Sequence, residues 1–177
     1  PRTPTQPATT KYENSRNYEA KLQISLRAKI ADDLIIPGSN LWFAYTQRSL
    51  WQIWNHADSA PFRSTDYIPE AIYNVPVSRK FGALPYGWQL RLLQAGIAHQ
   101  SNGQSDPLSR SWNYVYGGVG FEKKNLSVIY RYRHRLKESY ENDDNPDLVD
   151  YIGRNELALN WFAGRSTWSL TWKTNFS

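Results

Sequence analysis

The sequence predicts an all-β chain, an antiparallel up-and-down meander of about eight strands. Three observations predict it. Apolar and polar residues alternate with period two through most of the chain, the mark of a strand with two unlike faces. Clusters of turn-forming residues separate the alternating runs at short intervals. No run carries the 3.6-residue apolar spacing of an amphipathic helix.

The elements follow in order. Residues 1–17 are polar and rich in Pro and Thr, and are expected to form a flexible lead-in to a β domain over 18–177. Alternation then begins. Ala20, Leu22, Ile24, Leu26, Ala28 and Ile30 are apolar, with Lys21, Gln23, Ser25, Arg27 and Lys29 between them. PGSN (37–40) is a turn. The next strand, 41–55, carries Leu41, Phe43, Tyr45, Gln47, Ser49, Trp51 and Ile53 on one face, where Gln47 interrupts an apolar run. Residues 55–65 read as a loop. A strand near 70–80 follows, and Pro76 argues for a bulge or an edge position there. LPYG (84–87) turns the chain into 88–101, with Leu93, Ala95, Ile97, His99 and Ser101 in phase. Beyond a polar loop, Asn113, Val115, Gly117, Val119 and Phe121 share a face, and EKKN (122–125) is a tight turn. Leu126, Val128, Tyr130 and Tyr132 oppose Ser127, Ile129, Arg131, Arg133 and Arg135 in the next strand. An acidic loop (138–150) precedes two final strands, one with Leu157, Leu159, Trp161 and Ala163 in phase, the other with Trp168, Leu170 and Trp172.

Composition narrows the class. A chain of 177 residues suffices for one domain with a sizeable core. The absence of Cys excludes disulfides, a thiol nucleophile and Cys-based zinc sites. There is no Met, even at position 1, so the chain is expected to be trimmed, with any signal peptide already removed. No run approaches the ~20 apolar residues of a membrane helix, but a membrane barrel signals itself only by alternation. The 8 Trp and 12 Tyr suit the interfacial girdles of such a barrel, and equally a soluble, Trp-rich carbohydrate-binding sandwich. The net charge of +5 is dispersed rather than blocked, which argues against a nucleic-acid partner.

The stretch AHQSNGQSDPLSRSWN (98–113) carries the chemistry. His99 and Ser101 are two apart on a strand, so they share a face, and that face is the apolar one. A hairpin centred on Asp106 sets His99 opposite Asn113 and Ser101 opposite Ser111. Directly opposed residues have Cβ atoms ~4.5–5.5 Å apart. Ser101, His99 and Asn113 are then placed as nucleophile, base and orienter. On spacing alone, an ordinary polar strand end remains an open reading.

These residues carry a resemblance. His99-x-Ser101-Asn102-Gly103-x-Ser105-Asp106 with Ser109-Arg110-x-Trp112-Asn113 resembles the active-site signature of the outer-membrane phospholipase A family, calcium-dependent lipid esterases of bacteria. YTQRSLWQ (45–52), SAPFRSTDYIPE (59–70) and DDNPD (143–147) resemble further segments of that family, and the matches run from about Tyr18 to Trp172. The resemblance implies a transmembrane barrel of about twelve antiparallel strands in the bacterial outer membrane, working as a calcium-dependent homodimer on membrane glycerophospholipid. It implies Ser101 as nucleophile, His99 as base, Asn113 as orienter and the Gly103 amide in the oxyanion hole. It places Ca2+ near the Ser109 hydroxyl and the Gln104 carbonyl, with the Ser59 carbonyl given by the partner chain, and a second calcium position at Asp106 and Asp144. Gln47 would lie at the subunit contact with Ile24 and Leu26 beside it.

Two departures are visible. The family needs about four more strands, one before Pro1 and three after Ser177, so the 18–177 domain is expected to be incomplete at both ends. Ala60 stands where a polar neighbour of Ser59 is expected, which a main-chain ligand tolerates. DDNPD fails the EF-hand pattern, with Leu148 in the Gly position and Arg154 in the twelfth. His56 and His134 are read as structural or surface residues. The rival to the enzyme is a non-enzymatic barrel, a pore whose cationic inner face (Lys21, Arg27, Lys29, Arg131, Arg133, Arg135) selects anions.

Overall fold

Period-two alternation becomes a single antiparallel sheet in the structure, a computed structural model that describes residues 16–105, 108–136, 149 and 152–175. Its strands are β1 (Ala20–Asp32), β2 (Asn40–Trp51), β3 (Phe62–Pro76), β4 (Gln89–Ser101), β5 (Ser111–Lys123), β6 (Leu126–Arg135), β7 (Asn155–Ala163) and β8 (Ser166–Thr174). The order across the sheet is the order in sequence, as in the wall of an up-and-down barrel. Two connections are tight turns, at 124–125 and 164–165, and both lie at one end of the sheet. The opposite end carries the connections 52–61, 102–110 and 136–154.

Two expectations need correction. β2 stops at Trp51, and β3 begins at Phe62 rather than near residue 70. Arg63, Ser64, Thr65 and Asp66 look like a loop because they are polar. Ser64, Thr65 and Asp66 pair with β2 opposite Leu50, Ser49 and Arg48, and Arg63 takes up a register shift before Phe62 pairs with Trp51, because a sheet with one polar face accepts them. Pro76 marks neither a bulge nor an edge strand. It closes β3, opposite Leu92, where its missing N–H costs the ladder least.

The two faces differ in kind. One carries Ile24, Leu26, Phe43, Leu93, Ile97, Trp161, Trp168, Leu170 and Trp172, all exposed. An apolar surface of that extent is not matched by water. Hydrocarbon matches it, and the aromatic side chains toward the strand ends suit the membrane interfaces. The other face is polar and densely bonded. Near the end that carries the longer connections, Trp112 stacks on Tyr114 at 4.3 Å between ring centroids, and both are buried with Ile68, Ala98 and Tyr116. The ring of Tyr116 crosses Gly96, its partner on β4, so closely that a Cβ there would lie 2.3 Å from the ring. Below this layer, Glu156 receives Arg131 at 2.9 Å, Arg133 at 2.6 Å and Lys173 at 3.4 Å. Arg131 also donates to Gln94 at 2.8 Å, and Gln94 to Asn74 at 2.8 Å. Arg131 and Arg133, expected on a cationic lumen wall, are thus ion-paired within the wall itself, although one carboxylate shared by three cations leaves the cluster net positive.

This cluster yields a prediction. Glu156→Ala strips three cations of their shared carboxylate, and removing one partner of a buried pair costs about 3–5 kcal/mol. Guanidinium unfolding in detergent should show a clearly lowered midpoint. An unchanged midpoint would mean that water screens these charges.

Candidate active site

The β4–β5 hairpin adopts the register expected of it: His99 faces Asn113 and Ser101 faces Ser111. His99 Nδ1 and Asn113 Oδ1 are 2.9 Å apart. An amide oxygen only accepts, so Nδ1 is the donor, and in the neutral ring the lone pair is then on Nε2. Ser101 follows His99 by two residues on the same face, and its Oγ accepts the Gly103 N–H at 3.0 Å. Gly103 has φ +67°, a left-handed conformation that suits glycine, and its amide is thereby aimed back at the serine. The ring of Tyr67, which pairs with Ser101 across β3–β4, closes over Gly103 and would lie 3.1 Å from a Cβ there.

The support for this cluster comes from Gln100, an unnamed position of the motif, and from Trp112 and Asn102, which the motif includes without giving them a role. Gln100 lies between His99 and Ser101 and points to the polar face. Opposite it is Trp112, whose Nε1 donates to Gln100 Oε1 at 3.1 Å, while Gln100 Nε2 donates to Asp66 at 3.2 Å. Three strands are thereby tied at the level of the cluster, from the far side of the sheet. Asn102 is buried and braces the loop: its Oδ1 accepts the Arg110 N–H at 2.9 Å, and its Nδ2 donates to the Leu108 carbonyl at 2.8 Å. An Asn just past a strand end is a recognised turn former, and that signal was available in the sequence. Pro69 sits in β3 between the paired positions Tyr67–Ser101 and Glu70–Ala98, so β3 offers no N–H at that step, next to the His99 main chain.

The expected cation donors are scattered along one end of the sheet. Gln104 is exposed and Ser109 half-buried on the 102–110 connection, and Ser59 is exposed on the neighbouring 52–61 connection. Asp106 and Asp144 lie outside the described residues. Among the described residues no three His, Asp or Glu side chains converge. The available donors are hydroxyl and carbonyl oxygens, hard ligands of the kind calcium takes. On the apolar face, Gln47 is half-buried between Ile24 on β1 and Tyr67 on β3, while Leu26 lies opposite Tyr45. His134 is exposed opposite Val115, and the His56 carbonyl accepts the Ser59 N–H at 3.3 Å.

The imidazole geometry is testable by itself. Asn113→Leu removes the acceptor that selects the Nδ1–H tautomer. Nitrogen-15 shifts of the His99 ring in micelles should report one tautomer in the native protein and an average of two in the variant. The same averaged shifts in both would remove Asn113 as the orienting group.

Known proteins are similar to this chain in sequence and in fold. A family model described as phospholipase A1 matches residues 1–177. A protein of Neisseria meningitidis serogroup B named as a phospholipase A1 is 47% identical over 165 residues, covering 91% of this chain and 42% of its own length. Phospholipase A1 of Escherichia coli K12 is 36% identical over 165 residues, covering 93% of this chain and 55% of its own. The chain thus spans about half the length of these relatives. Among solved structures, outer membrane phospholipase A from Escherichia coli superposes with a TM-score of 0.82 at 35% identity, over 93% of this chain and 65% of that one. A Salmonella typhi outer membrane phospholipase, a dimer with bound calcium, superposes with a TM-score of 0.81 at 35% identity, over 93% and 61%. The eight strands follow the transmembrane barrel wall of these structures, and the chain belongs to the phospholipase A1 family.

Proposed function

We propose that the full protein is a calcium-dependent phospholipase A of the bacterial outer membrane, which releases acyl chains from glycerophospholipids and their lyso forms as a homodimer. The observation that carries this reading is the His99–Asn113 hydrogen bond on the apolar face, with Ser101 beside it. A lipid-facing wall has no structural use for such a group. An ester bond at the membrane interface reaches it directly.

The chemistry follows from the tautomer. His99 Nε2 takes the proton of Ser101 as Oγ attacks the ester carbonyl carbon. The carbonyl electrons move onto oxygen, where the Gly103 N–H, already 3.0 Å from Ser101 Oγ, is placed to meet them. His99 then returns the proton to the departing glycerol oxygen as the C–O bond breaks. Water, activated by the same nitrogen, cleaves the acyl-serine. Asn113 holds the ring throughout, and as a neutral amide it stabilises the imidazolium less than a carboxylate does. Calcium, when bound, adds positive charge near the developing oxyanion. The Ser109 hydroxyl and the Gln104 carbonyl would hold it, with the Ser59 carbonyl supplied by the partner chain, and Asp106 and Asp144 would form the second position.

Gln47 supports the dimer. Other polar side chains on the apolar face are bonded across strands: Ser49 to Thr65 at 3.0 Å, Tyr130 to Asn155 at 2.5 Å, His99 to Asn113. The Gln47 amide makes no such bond among the described residues. A polar group left unpaired in hydrocarbon is satisfied by a second subunit. Ile24 and Leu26 flank it as the apolar part of that contact.

Fatty-acid release from mixed micelles should require calcium, stop with chelator, and fall by roughly 10⁴-fold or more in Ser101→Ala. Release that survives this substitution would remove the triad. Gln47→Ala should lower the dimer population seen by cross-linking and lower activity in proportion. Full activity from a proven monomer would refute the dimer requirement.

A further inference from the structure

The most completely bonded polar cluster outside the triad lies under the 52–61 connection. Gln52 is fully buried. Its Oε1 accepts the Arg16 N–H at 2.7 Å, and its Nε2 donates to the Arg16 carbonyl at 3.2 Å and to Glu19 at 2.8 Å. Glu19 in turn receives Arg63 through two bonds, 2.5 and 2.8 Å long, with both side chains more than nine-tenths buried. The Arg63 hydrogen bond holds the Glu19 carboxyl below the usual carboxylate range, while burial acts against it. A buried ion pair is poor value as a source of stability, and one accepted use is to specify geometry.

The geometry specified is that of the connection above. The Gln52 N–H closes the base of the loop on the Pro61 carbonyl at 3.0 Å. Asn55, also fully buried, caps Asp58 at 3.3 Å and accepts the Ala60 N–H on its own carbonyl at 2.7 Å. Trp51 Nε1 donates to the Ala60 carbonyl at 2.9 Å, and its ring stacks on Phe62. Within this frame Ser59 and Ala60 are both left-handed, at φ +59° and +49°. Residues with a Cβ hold that conformation only where the surroundings over-determine it. The carbonyls of His56, Ala60 and Pro61 are all engaged, whereas the Ser59 carbonyl takes no donor among the described residues and stands on an exposed residue.

We propose that Gln52, Glu19 and Arg63 form a clasp through which the 16–19 segment positions the Ser59 carbonyl, and that this clasp sets the calcium response of the dimer. The inference rests on the reading of Ser59 as a calcium donor across the subunit contact. The three residues are positioning residues. They touch neither the ion nor the substrate.

The test uses the full-length protein in detergent micelles, with Gln52→Leu and the milder Glu19→Gln. Dimer population is followed by energy transfer between labelled protomers as calcium is titrated, with fatty-acid release measured in parallel. Gln52→Leu should raise the calcium concentration for half-maximal dimer by roughly 10- to 100-fold, the range for groups that support metal ligands. Glu19→Gln should shift it in the same direction by less, and activity should recover at saturating calcium in both. Unchanged calcium titrations in both variants would overturn the clasp while leaving the calcium reading intact, and so would a loss that calcium cannot restore. Native protein whose dimerisation ignores calcium would overturn the reading of Ser59, and the clasp with it.

Discussion

Hydrocarbon offers no hydrogen bonds, so every main-chain N–H and C=O within the membrane must be satisfied by the neighbouring strand. That constraint orders the whole molecule. It makes each strand pair with its neighbours in sequence, in registers that run unbroken over most of their length. It sends alternate side chains to opposite solvents, because the pleat allows nothing else. It also confines irregular backbone to the ends of the sheet. There the connections 52–61 and 102–110 can fold back on their own buried amides, Asn55 and Asn102. The residues read as the site and the clasp share that end because that is where backbone is free to depart from the ladder.

The same constraint explains why polar groups on the lipid side come in pairs. Ser49 with Thr65 and His99 with Asn113 are directly opposed residues in the β2–β3 and β4–β5 registers, the closest approach two strands allow. A lone histidine on that wall would be costly to desolvate. Bonded to Asn113 it is tolerated, and the bond that makes it tolerable also selects its tautomer. Stability and chemistry therefore make the same demand on position 113. Gln47 departs from this pattern, as does His134 opposite Val115, and of the two Gln47 is the one flanked by the apolar Ile24 and Leu26 of β1.

How much of this was legible in the sequence depended on whether a residue acts through its face or through its surroundings. The strand count, the two faces and the β4–β5 register were readable because His99, Ser101 and Asn113 interrupt an apolar phase, and period two converts such interruptions into positions. The first half of β3 was not readable. Arg63 to Asp66 are polar on both faces of the strand, and only the pairing of Phe62 and of Ser64 to Asp66 with β2 makes the stretch a strand. The roles of Gln100, Trp112 and Gln52 were invisible for a different reason. Their roles come from burial and from partners distant in sequence, such as Asp66 for Gln100 and Arg16 for Gln52. No local pattern records those distances.

The polar face shows how one sheet reconciles these demands. Across β6 to β8 it is a charged network centred on Glu156, and at the head of β5 it becomes an aromatic layer of Trp112, Tyr114 and Tyr116. Aromatic rings have few torsions to lose and large areas to bury, so they stiffen the strands they cover. Trp112 alternates with Asn113, so the stiff layer lies directly behind the imidazole and its acceptor. A cluster on a lipid-facing wall has no protein in front of it to hold its shape. Its rigidity has to come from behind, through the sheet, and the Trp112–Gln100–Asp66 chain of hydrogen bonds is where this sheet supplies it.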